Sequence, residues 1–410
     1  MSLLSNSLLL SSIFLSLLFL PDLVMPKTLE SDTNELSILK QSIDPSTIRP
    51  SSFLSTWNFK HDPCENMEGF FQGILCRISD DNSRSRVTAL NLDPAGYDGL
   101  LPPSIGNLTD LVVLSLSNNN LRGPIPDSIV QLRKLNVLAL SANFFTGELP
   151  GGILNLHNLE SLDVSNNVLV GTIPAGLAGL RRLSRLGLSK NKFHGEIPNL
   201  SGLWQLSSLD LSQNQFRGSV PQLPANLRQL SLHHNLLSGH LPKTLSLPRL
   251  EILDLSRNHF GGQVANWLLE LPSIRRIDVS GNALAGLQVY NFTGRATTLE
   301  SINTSWNHIG SHLPAMLVTI GGLREIDLSH NRLRGRIPER YGAMVGRSWR
   351  RLFLNDNYLV GDVPKSLVRK EALRMKGSLA SNCLRCPSGL SLCRGGQRTR
   401  YQCSRYNSKD

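Results

Sequence analysis

The sequence predicts an α/β solenoid, a right-handed superhelix of stacked coils that each contribute one short strand. Three observations predict it. Asparagines recur at steps of 21 to 26 residues, at Asn119, Asn143, Asn167, Asn191, Asn214, Asn235, Asn258, Asn282, Asn307, Asn331 and Asn357. Each follows an apolar alternation like Leu111, Leu114, Leu116. Each is followed four residues later by a small residue, glycine in every copy but the one with Ser311. A period of this length, sustained over hundreds of residues, marks a quasi-one-dimensional array.

Within one copy the alternating leucines read as a strand with its leucines inward. The asparagine ends the strand, because its short amide hydrogen-bonds backbone groups of the turn that follows. Stacked copies then align these amides in a buried ladder. Gly123 permits a tight bend, and Pro126, lacking an amide hydrogen, suits a strand end. The frame restarts at Leu135, Leu159, Leu183, Leu206, Leu227, Leu250, Ile274, Leu299, Leu323 and Trp349, after a degenerate first copy at Val87 with Ala95 in the asparagine slot. One copy alone buries too little to offset its own ordering, so stability requires stacked neighbours and capped ends.

The frame Leu111, Leu114, Leu116, Asn119, Leu121, Gly123, Ile125, Pro126 resembles the plant extracellular leucine-rich repeat, L-x-x-L-x-L-x-x-N-x-L-x-G-x-I-P, over about 280 of 410 residues. The resemblance implies a parallel concave β-sheet, a plant-type lateral sheet and disulfide caps. Ala265 and Val289 replace the slot's proline, and their copies are expected to interrupt the lateral sheet. Pro221-Gln-Leu-Pro224 replaces the helical turn of the short copy that starts at Leu206.

The expected organisation is a signal peptide at 1–26, an N-terminal cap at 27–86, twelve repeats at 87–369, and a basic, cysteine-rich C-terminal cap and tail at 370–410. The start is apolar from about Leu8 to Leu20, a length that suits a signal core better than a membrane span. No Lys or Arg precedes it, which keeps an uncleaved anchor as the alternative. No later apolar stretch is long enough to span a bilayer. The expected location is therefore outside the cell, in the apoplast or wall or held at the plasma membrane by a partner. Residues 32–76 look like the family's N-terminal cap, with Glu35, Leu36, Leu39 and Ile43 on one helix face and Asp44-Pro45 ending it.

All six cysteines lie outside the repeats. Cys64 with Cys76 reads as the N-cap disulfide. Cys383, Cys386, Cys393 and Cys403 allow three pairings, and a four-thiolate zinc site is the sharper alternative. The family's C-cap spacing implies Cys386 with Cys393, leaving Cys383 with Cys403. Asn107, Asn199, Asn291 and Asn303 stand in glycosylation sequons.

Net charge is +11, and it is concentrated: residues 321–410 hold 19 Lys and Arg against 7 Asp and Glu, while the other 320 residues sum to −1. A basic end facing the cell exterior implies an acidic partner, such as a pectin-like polysaccharide, and makes nucleic acid a poor fit. A solvated tail without a fixed partner is the plain alternative.

Side chains between the strand leucines should face the concave side. Early copies show small or acidic residues there, and later ones show Arg185, Lys190, His233, His234, Arg257, Arg276, Trp306, His330, Arg351 and Phe353. Arginines and aromatics carry binding energy at interfaces, and arginine grips carboxylates with paired hydrogen bonds. These residues are the candidate binding face for an acidic, extended peptide or an anionic oligosaccharide. Arg276 could instead pair with Asp254, Asp278 and Asp327. A glycan on Asn303 would cover Trp306.

The sequence shows no catalytic constellation, cofactor motif or metal-ligand set. Two functions fit. One is a recognition module like the ectodomain of a plant receptor-like protein, binding a peptide or a receptor or co-receptor kinase. The other is a secreted inhibitor of wall-degrading enzymes, similar to the polygalacturonase inhibitors, although Cys64 and Cys76 lack that group's adjacent-cysteine pattern.

Overall fold

In the computed structural model, residues 26–65, 69–79, 81–242, 246–264, 266–287, 298–344, 348–368 and 375–407 are described. The signal segment, Ala265, Val289 and Asn291 lie outside them.

The alternating leucines form the expected sheet. Its fourteen strands run in chain order from Ile74–Ile78 to Lys376–Ser378. The first pairs antiparallel with Ser85–Asn91, and every later neighbour is parallel. Register does not slip along the array: Leu90 faces Leu114, which faces Leu138, which faces Leu162. The same row continues through Ile277, Ile302, Ile326 and Leu352, all essentially without solvent contact. A one-residue slip would turn this whole row to solvent, so burial itself fixes the pairing.

Behind the sheet runs a second apolar row with four phenylalanines, Phe145, Phe193, Phe216 and Phe260, all buried. Phe193 and Phe216 lie parallel with centroids 6.3 Å apart. The convex side is built mainly of single 3₁₀ turns, such as Pro103–Asn107, Asp127–Gln131 and Gly151–Asn155, each with one isoleucine pointing inward. Pro221–Pro224 carries no helical turn, in line with its two prolines.

The asparagine ladder joins the copies. Asn143 shows its geometry: Oδ1 accepts from Leu121 N–H of the preceding copy at 3.0 Å. Its Nδ2 donates back to Leu116 O at 2.9 Å and to Leu140 O of its own copy at 3.2 Å. One amide thus satisfies buried backbone groups on two coils at once. The residue before each asparagine takes a left-handed φ, from Asn118 at 61° to Ser381 at 54°.

The ladder runs further than the sequence pattern indicates. Asn382 accepts from Leu359 N–H and donates to Leu354 O, so a thirteenth copy lies inside the segment expected to be cap. Gln397 then ends the row. Its Oε1 accepts from Leu384 N–H at 3.2 Å and its Nε2 donates to Leu379 O at 3.0 Å, the two bonds a further asparagine would make.

A lateral sheet exists, broken into five pieces among the described residues. The expected interruption falls at the copies of Ala265 and Val289: Gln263–Val264 pair in register with Gly286–Leu287, but this two-stranded piece joins no other lateral strand among the described residues. Backbone pairing there uses the residues ahead of the missing prolines. Further breaks fall between other copies, such as those of Gln215–Arg217 and Ser238–His240.

Both ends are capped covalently by Cys64–Cys76, Cys383–Cys403 and Cys386–Cys393, with no free cysteine. The four C-terminal sulfurs are consumed by disulfides, which removes the zinc alternative. At the N-terminus, helix Glu30–Gln41 buries Leu36 and Leu39 against the first strands. Its buried Asp32 accepts from Arg86 Nε and from Val87 N–H, both at 3.0 Å. Tyr97, buried against the cap, has its hydroxyl pushed up to about 12 by desolvation and by its bond to Asp93.

Candidate functional site

Each copy presents three positions on the concave side: the two outer residues of its three-residue strand and the left-handed residue past its end. Side by side, these become columns. The candidate residues do not form one patch, because they occupy two different rims. Arg185, Arg276 and Arg351 open their strands, whereas Lys190, His234, Arg257, Trp306 and His330 sit in the turns with φ of 52° to 55°. The expectation that all lie on strands is corrected by this geometry: the tight turn before each ladder asparagine needs a left-handed residue, and these are the residues that supply it.

Between the rims runs a row of carboxylates that the sequence pattern showed but did not explain. Asp163, Asp210, Asp254, Asp278 and Asp327 each accept from the N–H and hydroxyl of the serine two residues on. They are turn caps, engaged locally. Arg276 makes no ion pair with them among the described residues. Arg185 and Arg257 are likewise exposed and without an acidic partner there.

Other cations are neutralised on the strand-opening side. Arg228 meets Glu251 at 2.7 Å, Arg275 meets Glu300 at 2.7 Å, and Arg351 meets Glu325 at 3.5 Å. The Arg275 hydrogen bond holds the Glu300 carboxyl below the usual range. His233 lies between Ser231 Oγ at 2.9 Å and Asp254 at 3.4 Å, while His234 points to solvent. Phe353 closes its strand half-buried.

Trp306 is 63% exposed, and His330 stacks on one of its faces with centroids 3.8 Å apart and planes 12° apart. Its other side borders a hollow of about 610 Å³ lined by Arg257, Asp278, Ser280, Gly281 and Asn303. Gly281 is the reason the hollow exists. It occupies the turn column at φ 64°, where neighbouring copies carry Arg257 and Trp306, and it leaves that place without a side chain. The signal was present in the sequence as Ser-Gly-Asn among copies reading Ser-Arg-Asn and Ser-Trp-Asn.

Asn303 takes the aspartate's place in its copy. Its Oδ1 accepts from Ser305 N–H and Oγ, and its Nδ2 donates to Asp278 Oδ2 at 2.9 Å. Asn107 and Asn199 are surface residues whose Nδ2 groups donate to Glu35 and Gln222.

The basic C-terminus is partly spent on the cap. Arg385 bonds Asp362 through two 2.7 Å contacts, and Arg398 lies over the Tyr358 ring while donating to Asn357 O. No described helix is long and apolar enough to cross a membrane.

Residues 90–283 match the family described as leucine-rich repeat region, and residues 322–344 match leucine rich repeat, together just over half of the chain. The chain belongs to the leucine-rich repeat family. A stretch of 64 residues in this leucine-rich repeat chain is 34% identical to a probable LRR receptor-like serine/threonine-protein kinase of Arabidopsis thaliana, covering 16% of this chain and 7% of that one. Among solved structures, the PEPR1–AtPEP1 complex is similar with TM-score 0.73 and 29% identity, over 87% of this chain and 52% of that one. The HAESA LRR ectodomain of Arabidopsis, in complex with an N-terminally extended IDA peptide hormone, has TM-score 0.65 and 31% identity, over 73% and 52%. The plant peptide hormone receptor RGFR1 with RGF2 has TM-score 0.59 and 26% identity, over 74% and 57%. The chain thus spans about half the length of these ectodomains, and a small fraction of the kinase.

Proposed function

We propose that this chain is an extracellular recognition module that binds an acidic, extended peptide on the C-terminal half of its concave face. It would lend that specificity to a receptor or co-receptor kinase. The observation that carries the reading is the pair Arg257 and Arg276. They lie on opposite rims of neighbouring copies, exposed and without a salt-bridge partner among the described residues, and Arg257 lines the hollow beside Trp306. An extended anionic chain crossing the sheet there meets a guanidinium on each side, and arginine binds carboxylates in paired, charge-assisted hydrogen bonds. Two of the similar structures are a plant peptide hormone receptor in complex with RGF2 and an LRR ectodomain in complex with a peptide hormone, which supports the peptide class.

Double substitution Arg257→Ala with Arg276→Ala is expected to weaken capture of acidic peptides at least about tenfold, since each desolvated charge contact is worth about 1–3 kcal/mol. The melting temperature should stay unchanged, because neither side chain supports the fold. The measurement is calorimetric titration with a panel of synthetic acidic peptides, run beside a polygalacturonase inhibition assay. Inhibition without peptide capture would move the protein to the wall-inhibitor class. Salt-sensitive adhesion to pectin that persists in the double variant would place binding in the basic C-terminal end.

A further inference from the structure

The turn column that holds Trp306 has a regular spacing. Trp306 and His330, one copy apart, stack at 3.8 Å with nearly parallel planes. Side chains in this column therefore lie face to face along the solenoid axis, near the ~4.8 Å separation of neighbouring strands. From Asn118 to Ser381 the column residue is left-handed in every copy, and only at position 281 is it glycine. Two strand spacings, ~9.6 Å, thus separate the backbone positions of Trp306 and Arg257. A planar ring needs about 3.5–4.0 Å to each neighbour, and on the Arg257 side the space is bounded by that side chain, whose Cγ lies 3.3 Å from where a Cβ on Gly281 would stand.

We propose that the Gly281 gap seats one planar aromatic side chain of the peptide ligand, stacked on the free face of Trp306 with the Arg257 guanidinium over its other face. The inference rests on the concave-face reading and names the anchor residue that reading lacks. Trp306 already has one face covered by His330, and its remaining surface is the largest exposed aromatic area on this rim. Arg257 has no acidic partner among the described residues, and a guanidinium over a ring is attracted by the ring's negative face. Asp278 lies in the same hollow. A carboxylate seated there would face it, whereas the positive edge of an aromatic ring is favoured by it. The seat therefore selects a neutral ring, and the ligand's acidic groups go to Arg276 and the rims.

The test uses N-acetyl-tyrosine amide as probe, titrated into the full secreted chain and followed at the indole N–H resonance of Trp306. A saturable ring-current shift is expected, with none from N-acetyl-leucine amide. Gly281→Asn fills the gap in a left-handed turn that Asn118 and Asn166 already hold at φ 61° and 55°, and the flexible Arg257 side chain, 3.3 Å from the new Cβ, gives by a few tenths of an ångström. That variant should weaken the probe about 5- to 30-fold, the equivalent of losing about 1–2 kcal/mol of stacking and cation–π contact. Arg257→Ala should weaken it less. No Trp306 shift, an equal response to the leucine probe, or unchanged binding by Gly281→Asn would overturn the seat. Acidic peptides captured equally by wild type and Gly281→Asn overturn the seat and leave the peptide reading standing. A probe shift lost in Gly281→Asn, with no peptide captured, supports the seat and sinks the peptide reading.

Discussion

A single amide does the most work per atom in this protein. Asn258 accepts from Leu237 N–H and donates to Leu232 O, Leu255 O and Ser256 O, spanning two copies with one side chain. Asn258→Ala strands buried backbone groups on both, and each unsatisfied buried group costs about 1–3 kcal/mol. Denaturant titration should show a loss of about 3 kcal/mol, within the range of broken buried networks. Gln397→Ala should cost less, because its longer amide serves only the final coil. The sequence exposed Asn258 through periodicity alone. It concealed Gln397, which performs the same task from a different chain position, with no period to mark it. Asn303 shows a role its sequon does not announce: its amide takes the aspartate's place, accepting from Ser305 N–H and donating to Asp278.

Among elements, the caps carry a burden the repeats share out. The last strand, Lys376–Ser378, has no following coil, and its neighbourhood is closed by Leu379 N–H donating to Leu392 O and Ser381 N–H donating to Gly396 O. Cys383–Cys403 and Cys386–Cys393 pin that closing segment. Cys383→Ser with Cys403→Ser should therefore fray the C-terminal copies first. Hydrogen exchange is expected to accelerate at Leu379 and Leu384 while amides near Leu138 and Leu162 keep full protection, as local opening permits in a nearest-neighbour array. Uniform acceleration along the chain would contradict this. The lateral strands teach a related point. Proline slots were the visible cue for continuity, yet pairing at Gln263–Val264 survives beside Ala265, because the hydrogen bonds are made by backbone ahead of that slot.

At the scale of the whole molecule, stability at acid pH follows from its surface carboxylates. Glu300 and Asp362 are held below their ordinary values by hydrogen bonds from Arg275 and Arg385, and Asp81 is held at about 2 by hydrogen bonds from Ser79 and Ser83. Groups depressed in the folded state stabilise it above their unfolded values, near 4, and lose that contribution as pH falls through the folded ones. Thermal melts should be flat from neutrality to about pH 5 and decline below about pH 4. These pairs are solvent-exposed, so the decline should be shallow. A steep loss between pH 6 and 7 would contradict this. Over the full length, the repeat frame alone determined the solenoid, its inward leucines and its asparagine ladder, because each copy states the same pattern and burial admits one register. What only the tertiary structure decided was which exposed residues become neighbours. Arg257, Gly281 and Trp306 are 24 and 25 residues apart in the chain, and stacking sets them side by side around one gap. A periodic sequence specifies its core many times over, but each surface site is written once, and its geometry appears only when the coils are in contact.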